Sequence, residues 1–264
     1  MSERFISTET LAADLGCEGL IILDARPMMN FIVSHIPGAL SVDWKDFSDP
    51  RADSKGVLNP NVDVLAEKVG ALGIGPERRV VCYSNPVSCY GEDGRLYWML
   101  SHLGHRNVSI LNGGWTKWRK EERQVERGRA RVVTPAAFTV ALRPELLMER
   151  VELKRRVAAK DPALAIIDAR SPREVAGGRV PGAVNIPWNG FYNADGSIKP
   201  AAAIMDALKQ QQVDGTWEYV VYCAGGVRSA WLYSLMVEAG VANVKNYAGS
   251  WSDWKSDSSA PVEK

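Results

Sequence analysis

Val220-Val221-Tyr222-Cys223-Ala224-Gly225-Gly226-Val227-Arg228-Ser229 is the stretch on which the reading of this chain turns. Its first residues continue the apolar run from Tyr219 and read as a buried strand. Cys223 stands where that strand ends. Gly225 and Gly226 allow the backbone a tight curl. A helix is expected from Ser229 to Ala239, stopped by Gly240. Strand, tight loop and helix in succession are the repeating unit of an α/β fold, whose ligands gather at the carboxyl ends of parallel strands.

The residue types in the loop point to sulfur chemistry. A curled backbone turns several N–H groups inward and makes a nest for an anion. The positive end of the following helix faces the same point, and Arg228 adds a full charge. A free cysteine titrates near ~8.5, and such surroundings lower it. Cys223 is therefore expected to be a thiolate that can accept a sulfur atom and hold the resulting anionic persulfide. Ala224, Gly225, Gly226, Val227, Arg228 and Ser229 are the expected binding groups around it. The bland alternative makes Cys223 a small buried hydrophobe ending a strand; the glycines, the arginine and the helix start weigh against it.

The same architecture occurs twice. Leu23-Asp24-Ala25-Arg26 returns as Ile167-Asp168-Ala169-Arg170, and Ile36-Pro37-Gly38-Ala39 as Val180-Pro181-Gly182-Ala183, both 144 residues later. Trp44 and Trp188 keep that spacing. Val80-Val81-Cys82-Tyr83 matches Val220 to Cys223 at a spacing of 140, and Gly114-Trp115…Trp118 matches Ser250-Trp251…Trp254 at 136. The order of landmarks is kept while the spacing falls twice, which predicts two four-residue insertions in the first copy, the second of them in the loop after Tyr83. Two homologous domains are expected over 1–122 and 138–264. The charge-dense segment 123–137 between them reads as a solvated linker.

Short apolar runs and helical patterns alternate in both halves. Strands are expected at 20–23, 80–83 and 108–111, and again at 165–167, 219–222 and 244–247. Helices are expected at 62–72, 94–103, 146–159, 202–211 and 229–239. The fold class is α/β, with each domain a parallel sheet carrying helices on both faces.

Composition sets the outer limits. The 264 residues suffice for two cores, and a net charge of +1 gives no reason to expect a nucleic acid or a membrane surface as partner. No apolar run is long enough to span a bilayer. The first residues have no apolar leader pattern, so a cytoplasmic protein is expected. The four cysteines show no paired spacing for zinc and read as free thiols. No metal or organic cofactor is expected.

With these residues in view, the chain resembles the rhodanese family, and within it the tandem two-domain members. The resemblance rests on Asp168-Ala169-Arg170, Val180-Pro181-Gly182-Ala183-Val184-Asn185-Ile186-Pro187, the loop Cys223–Ser229, and Ala248-Gly249-Ser250-Trp251…Trp254. It implies a sulfurtransferase that carries sulfur as a persulfide on Cys223, with a small-molecule donor and a thiol, cyanide or protein acceptor. Cysteine phosphatases of related fold use Cys-x5-Arg, whose wider ring holds a tetrahedral phosphate, and phosphatase or arsenate-reductase chemistry is the remaining alternative. The Cys-x4-Arg spacing here suits a single sulfur atom.

Aligning the repeats sets Tyr83 opposite Cys223, Glu92 opposite Arg228 and Asp93 opposite Ser229. The first domain is therefore expected to be catalytically silent. Cys89 falls within its insertion and is expected to be exposed and inert. Mercaptopyruvate enzymes resemble one another in a Cys-Gly-Ser-Gly-Val-Thr loop, which this chain lacks. Arg228 suits a departing sulfite, so thiosulfate is the expected donor, with 3-mercaptopyruvate transfer and a persulfide relay as alternatives. Arg170 matches a family arginine that binds substrate, and the competing reading is a structural ion pair with Glu174 or Asp168. Trp251 either walls the sulfur pocket or belongs to the core. Arg179 stands where the family usually has histidine, and His35, its counterpart, is expected to stabilise a turn.

Overall fold

A computed structural model describes residues 3–86, 88–215 and 218–264. Met1 and Ser2, where the leader reading begins, lie outside the described residues. The chain divides into two compact units. One comprises Met1–Phe47, Asn59–Leu142 and Tyr192–Ile198; the other comprises Ser48–Leu58, Arg143–Phe191 and Lys199–Lys264.

The first unit runs β1 (Phe5–Ile6), α1 (Thr8–Ala13), β2 (Leu20–Asp24), α2 (Met28–Val33), β3 (Ala39–Ser41), α3 (Val62–Ala71), β4 (Arg79–Tyr83), α4 (Glu92–His102), β5 (Val108–Leu111) and α5 (Gly114–Lys120). Its five strands are all parallel, in the order β1-β5-β4-β2-β3. All five residues of β2 are buried, as a strand covered on both faces requires. Leu20 and Ile22 of β2 join Leu11 of α1, Phe31 of α2 and Trp118 of α5 in one core cluster. Helix α4 packs along β4 and β5.

The second unit repeats the plan with α6 (Arg150–Ala158), β6 (Leu164–Asp168), α7 (Pro172–Val175), β7 (Val184–Asn185), α8 (Ala201–Gln210), β8 (Glu218–Tyr222), α9 (Arg228–Glu238), β9 (Val244–Asn246) and α10 (Ser250–Ser256). Its sheet is again parallel, in the order β7-β6-β8-β9. Ile166 and Val220 pack with Leu153 of α6 and Trp254 of α10. Helices α8 and α9 lie together, with α9 along β8 and β9.

The expected strands all form, with ends moved by a residue. The helix expected at 146–159 is shorter, because Pro144–Leu146 make a single 3-10 turn before α6 begins. The short α1, α2, α5, α7 and α10 and the edge strands β1, β3 and β7 were not expected; each is too brief to show a period. Between residues 123 and 142 most side chains are exposed, yet the backbone is tied down at intervals. Glu126 and His35 exchange two 2.9 Å backbone bonds, and the Ala136 and Ala141 amides bond to Gly70 and Leu103. This is an anchored strap, not a freely solvated tether.

Strand register corrects the repeat alignment. Asp24 pairs with Tyr83 across β2 and β4, and Asp168 pairs with Tyr222 across β6 and β8. Tyr83 thus corresponds to Tyr222, and Ser84, not Tyr83, stands opposite Cys223. The hydrogen bonds agree. The Trp115 amide donates to Ser84 O at 2.8 Å, and the Trp251 amide donates to Cys223 O at 3.0 Å. The sequence matched the two apolar runs one residue out of step because their letters agree best that way. The insertions are then five residues before β4 and three in the loop after it.

Candidate functional site

Asp168, Arg170 and Tyr222 build the floor beneath the Cys223 loop. Asp168 ends β6, fully buried, and takes the Arg170 guanidinium on both oxygens, with Nη2 at 2.6 Å. The Tyr222 hydroxyl donates to Asp168 at 2.6 Å and accepts from the Val180 amide at 3.1 Å. Arg170 also donates to Gly178 O at 2.8 Å and lies 4.5 Å from the Trp251 ring centre. The first unit contains the same frame. Arg26 binds Asp24 and Ser34 O, Tyr83 donates to Asp24, and Arg26 lies 4.0 Å over Trp115. A frame present in both units, with and without a cysteine, belongs to the fold. Of the two readings of Arg170, these contacts are those of the structural ion pair, with Asp168 as partner. Trp251 is half-buried and packs against the core edge while stacking on Arg170.

Above this floor Cys223 follows β8, the residue only 1% exposed. Burial alone would favour the plain core reading. The surrounding amides favour the nucleophile reading. The Gly226 N–H donates to Cys223 Sγ at 3.2 Å. Gly226 can aim it there because its φ is +81°, which a side chain would make costly. Burial pushes the thiol up. The Arg228 charge, the Ser229 hydroxyl and amide, and the Gly225 amide together draw it below its ordinary value. A carbon added at Gly225 would meet open space, so the loop has a clear outer face there. Ala224, Gly225 and Val227 are half-buried around that opening.

Helix α9 begins at Arg228, one residue earlier than expected, so the arginine sits in its first turn. Its guanidinium edge is occupied by Glu174, with Nη1 and Nη2 at 2.8 and 2.7 Å from the two carboxylate oxygens. Arg228 holds the Glu174 carboxyl down to about 2. Glu174 itself is fixed by a capping box at the start of α7: the Ser171 amide and hydroxyl donate to it at 3.0 and 2.7 Å. Sequence reasoning considered Glu174 only as a partner for Arg170. The Ser171-x-x-Glu174 spacing signalled a cap, and nothing in one dimension linked that cap to Arg228.

Ser250 was also missed. Its hydroxyl accepts the Cys223 amide at 3.0 Å and lies 3.9 Å from Sγ. It does so from a left-handed backbone, φ +56°, where the first unit has Gly114 at φ +49°. The exchange of glycine for serine at a matched repeat position was the available signal.

The corresponding loop of the first unit has reversed charge. Ser84 is fully buried in the nucleophile position. Asp93 replaces Ser229, and its carboxyl is raised to about 6, mainly by burial, while the Gly94 amide and Ser84 hydroxyl pull it back. Glu92 stands where Arg228 does and is raised by burial. Cys89, expected at the surface, is 7% exposed, and burial beside Glu92 pushes its thiol to about 11. The longer loop folds it inward. Cys82 is fully buried and raised well above the ordinary range for the same first reason. His35 is buried against Phe31, its ring 2.8 Å from Phe31 O. That is the turn-stabilising position expected for it.

A parallel α/β unit carrying a thiol of lowered pKa in a ring of amides at a strand end defines a class of sulfur-handling proteins, and comparison with known proteins agrees. The rhodanese-like domain matches residues 7–121 and again 149–257. The chain is 33% identical to the thiosulfate sulfurtransferase of Pseudomonas aeruginosa, covering 98% of this chain and 96% of that one. It is 28% identical to the sulfur carrier protein TtuD of Thermus thermophilus, covering 99% and 97%. The crystal structure of SseA from Escherichia coli, titled for 3-mercaptopyruvate sulfotransferases, matches with a TM-score of 0.83 at 25% identity, covering 95% of this chain and 99% of that one. The chain belongs to the rhodanese family, as a tandem two-domain sulfurtransferase.

Proposed function

We propose that this sulfurtransferase takes the outer sulfur of thiosulfate onto Cys223 and passes it to cyanide, a thiol or a protein acceptor. The Cys223 thiolate attacks the outer sulfur, the S–S bond of thiosulfate breaks, and sulfite leaves with the bonding pair. The terminal sulfur of the persulfide keeps one negative charge, which the loop amides and Arg228 face. An acceptor nucleophile then attacks that sulfur, and Cys223 leaves as thiolate. The cycle is a ping-pong exchange with no net redox change.

The observation that carries this reading is the Gly226 N–H aimed at a buried sulfur whose pKa falls despite its burial. The thiosulfate assignment draws on the positive charge at the loop mouth and on the name of the Pseudomonas relative. Mercaptopyruvate is the second reading, favoured by the likeness to SseA and by Glu174, which already occupies the Arg228 edge that a sulfonate would want. A protein acceptor draws on the likeness to the sulfur carrier TtuD. In this reading residues 138–264 form the catalytic domain, 1–122 a silent one, and 123–137 the connection. No helix among the described residues is long and apolar enough to cross a membrane. The free cysteines suit the reducing cytoplasm.

A side-by-side assay with thiosulfate and 3-mercaptopyruvate, each with cyanide as acceptor, tests the donor. Faster turnover of thiosulfate is expected; preference for mercaptopyruvate would overturn the donor assignment but not the sulfur chemistry. Mass spectrometry after thiosulfate treatment should find one added sulfur atom on Cys223.

A further inference from the structure

We infer that Gly56, far from Cys223 in sequence and located in the first repeat, is a positioning residue for the amide ring that holds the sulfur. The inference rests on the reading of Cys223 as the sulfur carrier.

Ser48–Leu58 belongs to the same compact unit as the Cys223 loop. The segment is a closed excursion. Ser48 and Leu58 are bridged antiparallel, the Asp49 amide bonds to Val57 O at 2.9 Å, and the Ser48 hydroxyl donates to Lys55 O at 2.5 Å. At its tip the buried Ser54 accepts the Gly56 amide at 3.2 Å on its hydroxyl and the Val57 amide at 3.1 Å on its carbonyl. These bonds hold Gly56 face down on the catalytic loop. A Cβ built on Gly56 would stand 2.5 Å from Gly225 O and closer still to Ala248 O, inside the 3.0 Å that such atoms keep. Both neighbours are main chain and cannot swing aside.

A second glycine also approaches Ala248 O closely. A Cβ on Gly226 would also fall within 3.0 Å of it. The Ala248 carbonyl thus lies against both Gly56 and Gly226, the residue whose N–H reaches the sulfur. Two residues on, Ser250 holds the Cys223 amide. Gly56 therefore backs both routes by which the loop is fixed: directly at Gly225 O, and through Ala248 to Gly226.

The other repeat supplies an internal comparison. Gly196 occupies the matching excursion, which Tyr192 and Ile198 close. It lies over the serine-bearing loop of the first unit, but there the nearest atom to a built Cβ is Gly113 O at 3.1 Å. Over the loop that carries the thiol a Cβ would overlap main chain outright; over the loop that lacks it the approach is close but stays beyond 3.0 Å, and Gly196 has a left-handed φ of +85° that Gly56 does not share.

The experiment uses the full-length protein with Gly56→Ala. A displacement of about 1 Å in an oriented site can cost on the order of a hundredfold in rate. We expect thiosulfate loading of Cys223 to fall at least about tenfold, and the pH midpoint for Cys223 alkylation by iodoacetamide to rise, with a lowered thermal midpoint, so loading and alkylation are measured at a temperature where the variant is fully folded. Ser54→Ala loosens the same turn without adding bulk, and a smaller shift in the same directions is expected. If Gly56→Ala fails to fold, Ser54→Ala decides. Loading within twofold of the parent and an unmoved alkylation midpoint, in the folded variants, would overturn the inference. A parent protein that alkylates normally but takes no sulfur from any donor would instead sink the functional reading, and the alkylation profile would still test Gly56.

Discussion

Ser84 and Cys223 end matching strands, above matching frames of aspartate, arginine and tyrosine, and only one of them sits in surroundings that favour an anion. Beneath both residues the distances agree closely: Arg to Asp at 2.6 Å in each, and Tyr to Asp at 2.5 and 2.6 Å. Above them everything differs. One loop is short, with Gly226 aimed inward and a cation at the helix start. The other is three residues longer, with two acids at the helix start and a cysteine folded into its interior. The floor is what the fold needs to join strand, turn and helix. The loop is where the proposed sulfur chemistry is carried. Motifs shared by both repeats therefore report architecture, and the differences between repeats report function.

The comparison breaks most visibly at the nucleophile. Cys223→Ser should abolish sulfur transfer and the added sulfur mass, whereas Ser84→Ala should leave both at the parental level. Residual turnover in Cys223→Ser would mean that the first unit is not silent. Next in size is the cation. Arg228→Ala removes the largest opposing charge near the thiol, so turnover should fall by about a hundredfold, as loss of one stabilising group in a closed site commonly does. The alkylation midpoint at Cys223 should rise toward the ordinary thiol range, making the two loops more alike. An unchanged midpoint would remove Arg228 from the thiolate.

Glu174 sharpens the contrast by a smaller step. Glu174→Gln keeps the shape but loses the charge that orients Arg228, worth about tenfold for a charged hydrogen bond. Ser171→Ala strips the cap without touching Arg228, so it should lower thermal stability with little change in the alkylation midpoint. A midpoint that moves equally in both variants would reduce Glu174 to a capping residue. The sign of the pH effect follows from the depressed carboxyl. Its contribution to stability is fully present above the unfolded value of ~4.3 and is lost as pH falls through about 2, so Glu174→Gln should flatten the acid limb of a stability profile.

Much of this was legible in the sequence. Strand–helix alternation and the Cys223 loop are made of short local runs, and the repeat shows by matching such runs letter for letter along the chain. What escaped has two physical causes. Register across a parallel sheet is set by hydrogen bonds between distant strands, so the letters of Val80-Val81-Cys82-Tyr83 suggested a pairing one step from the real one. The partners of the thiol and of its arginine come from elsewhere in the chain. Ser250 and Glu174 approach from the ends of other elements, and Gly56 from the other repeat. The burial of Cys89 was missed because an insertion reads as surface until its path is known.

Ser250 sets firmness against fitness at one backbone position. A residue with a side chain held at φ +56° carries conformational strain on the order of 1–3 kcal/mol, which glycine relieves, as it does at Gly114. Ser250→Gly relieves that strain but leaves the buried Cys223 amide without its acceptor, a loss of about the same 1–3 kcal/mol, so the melting temperature should change little while sulfur loading slows. Backbone ease and the grip on the Cys223 amide thus trade against each other at this single position.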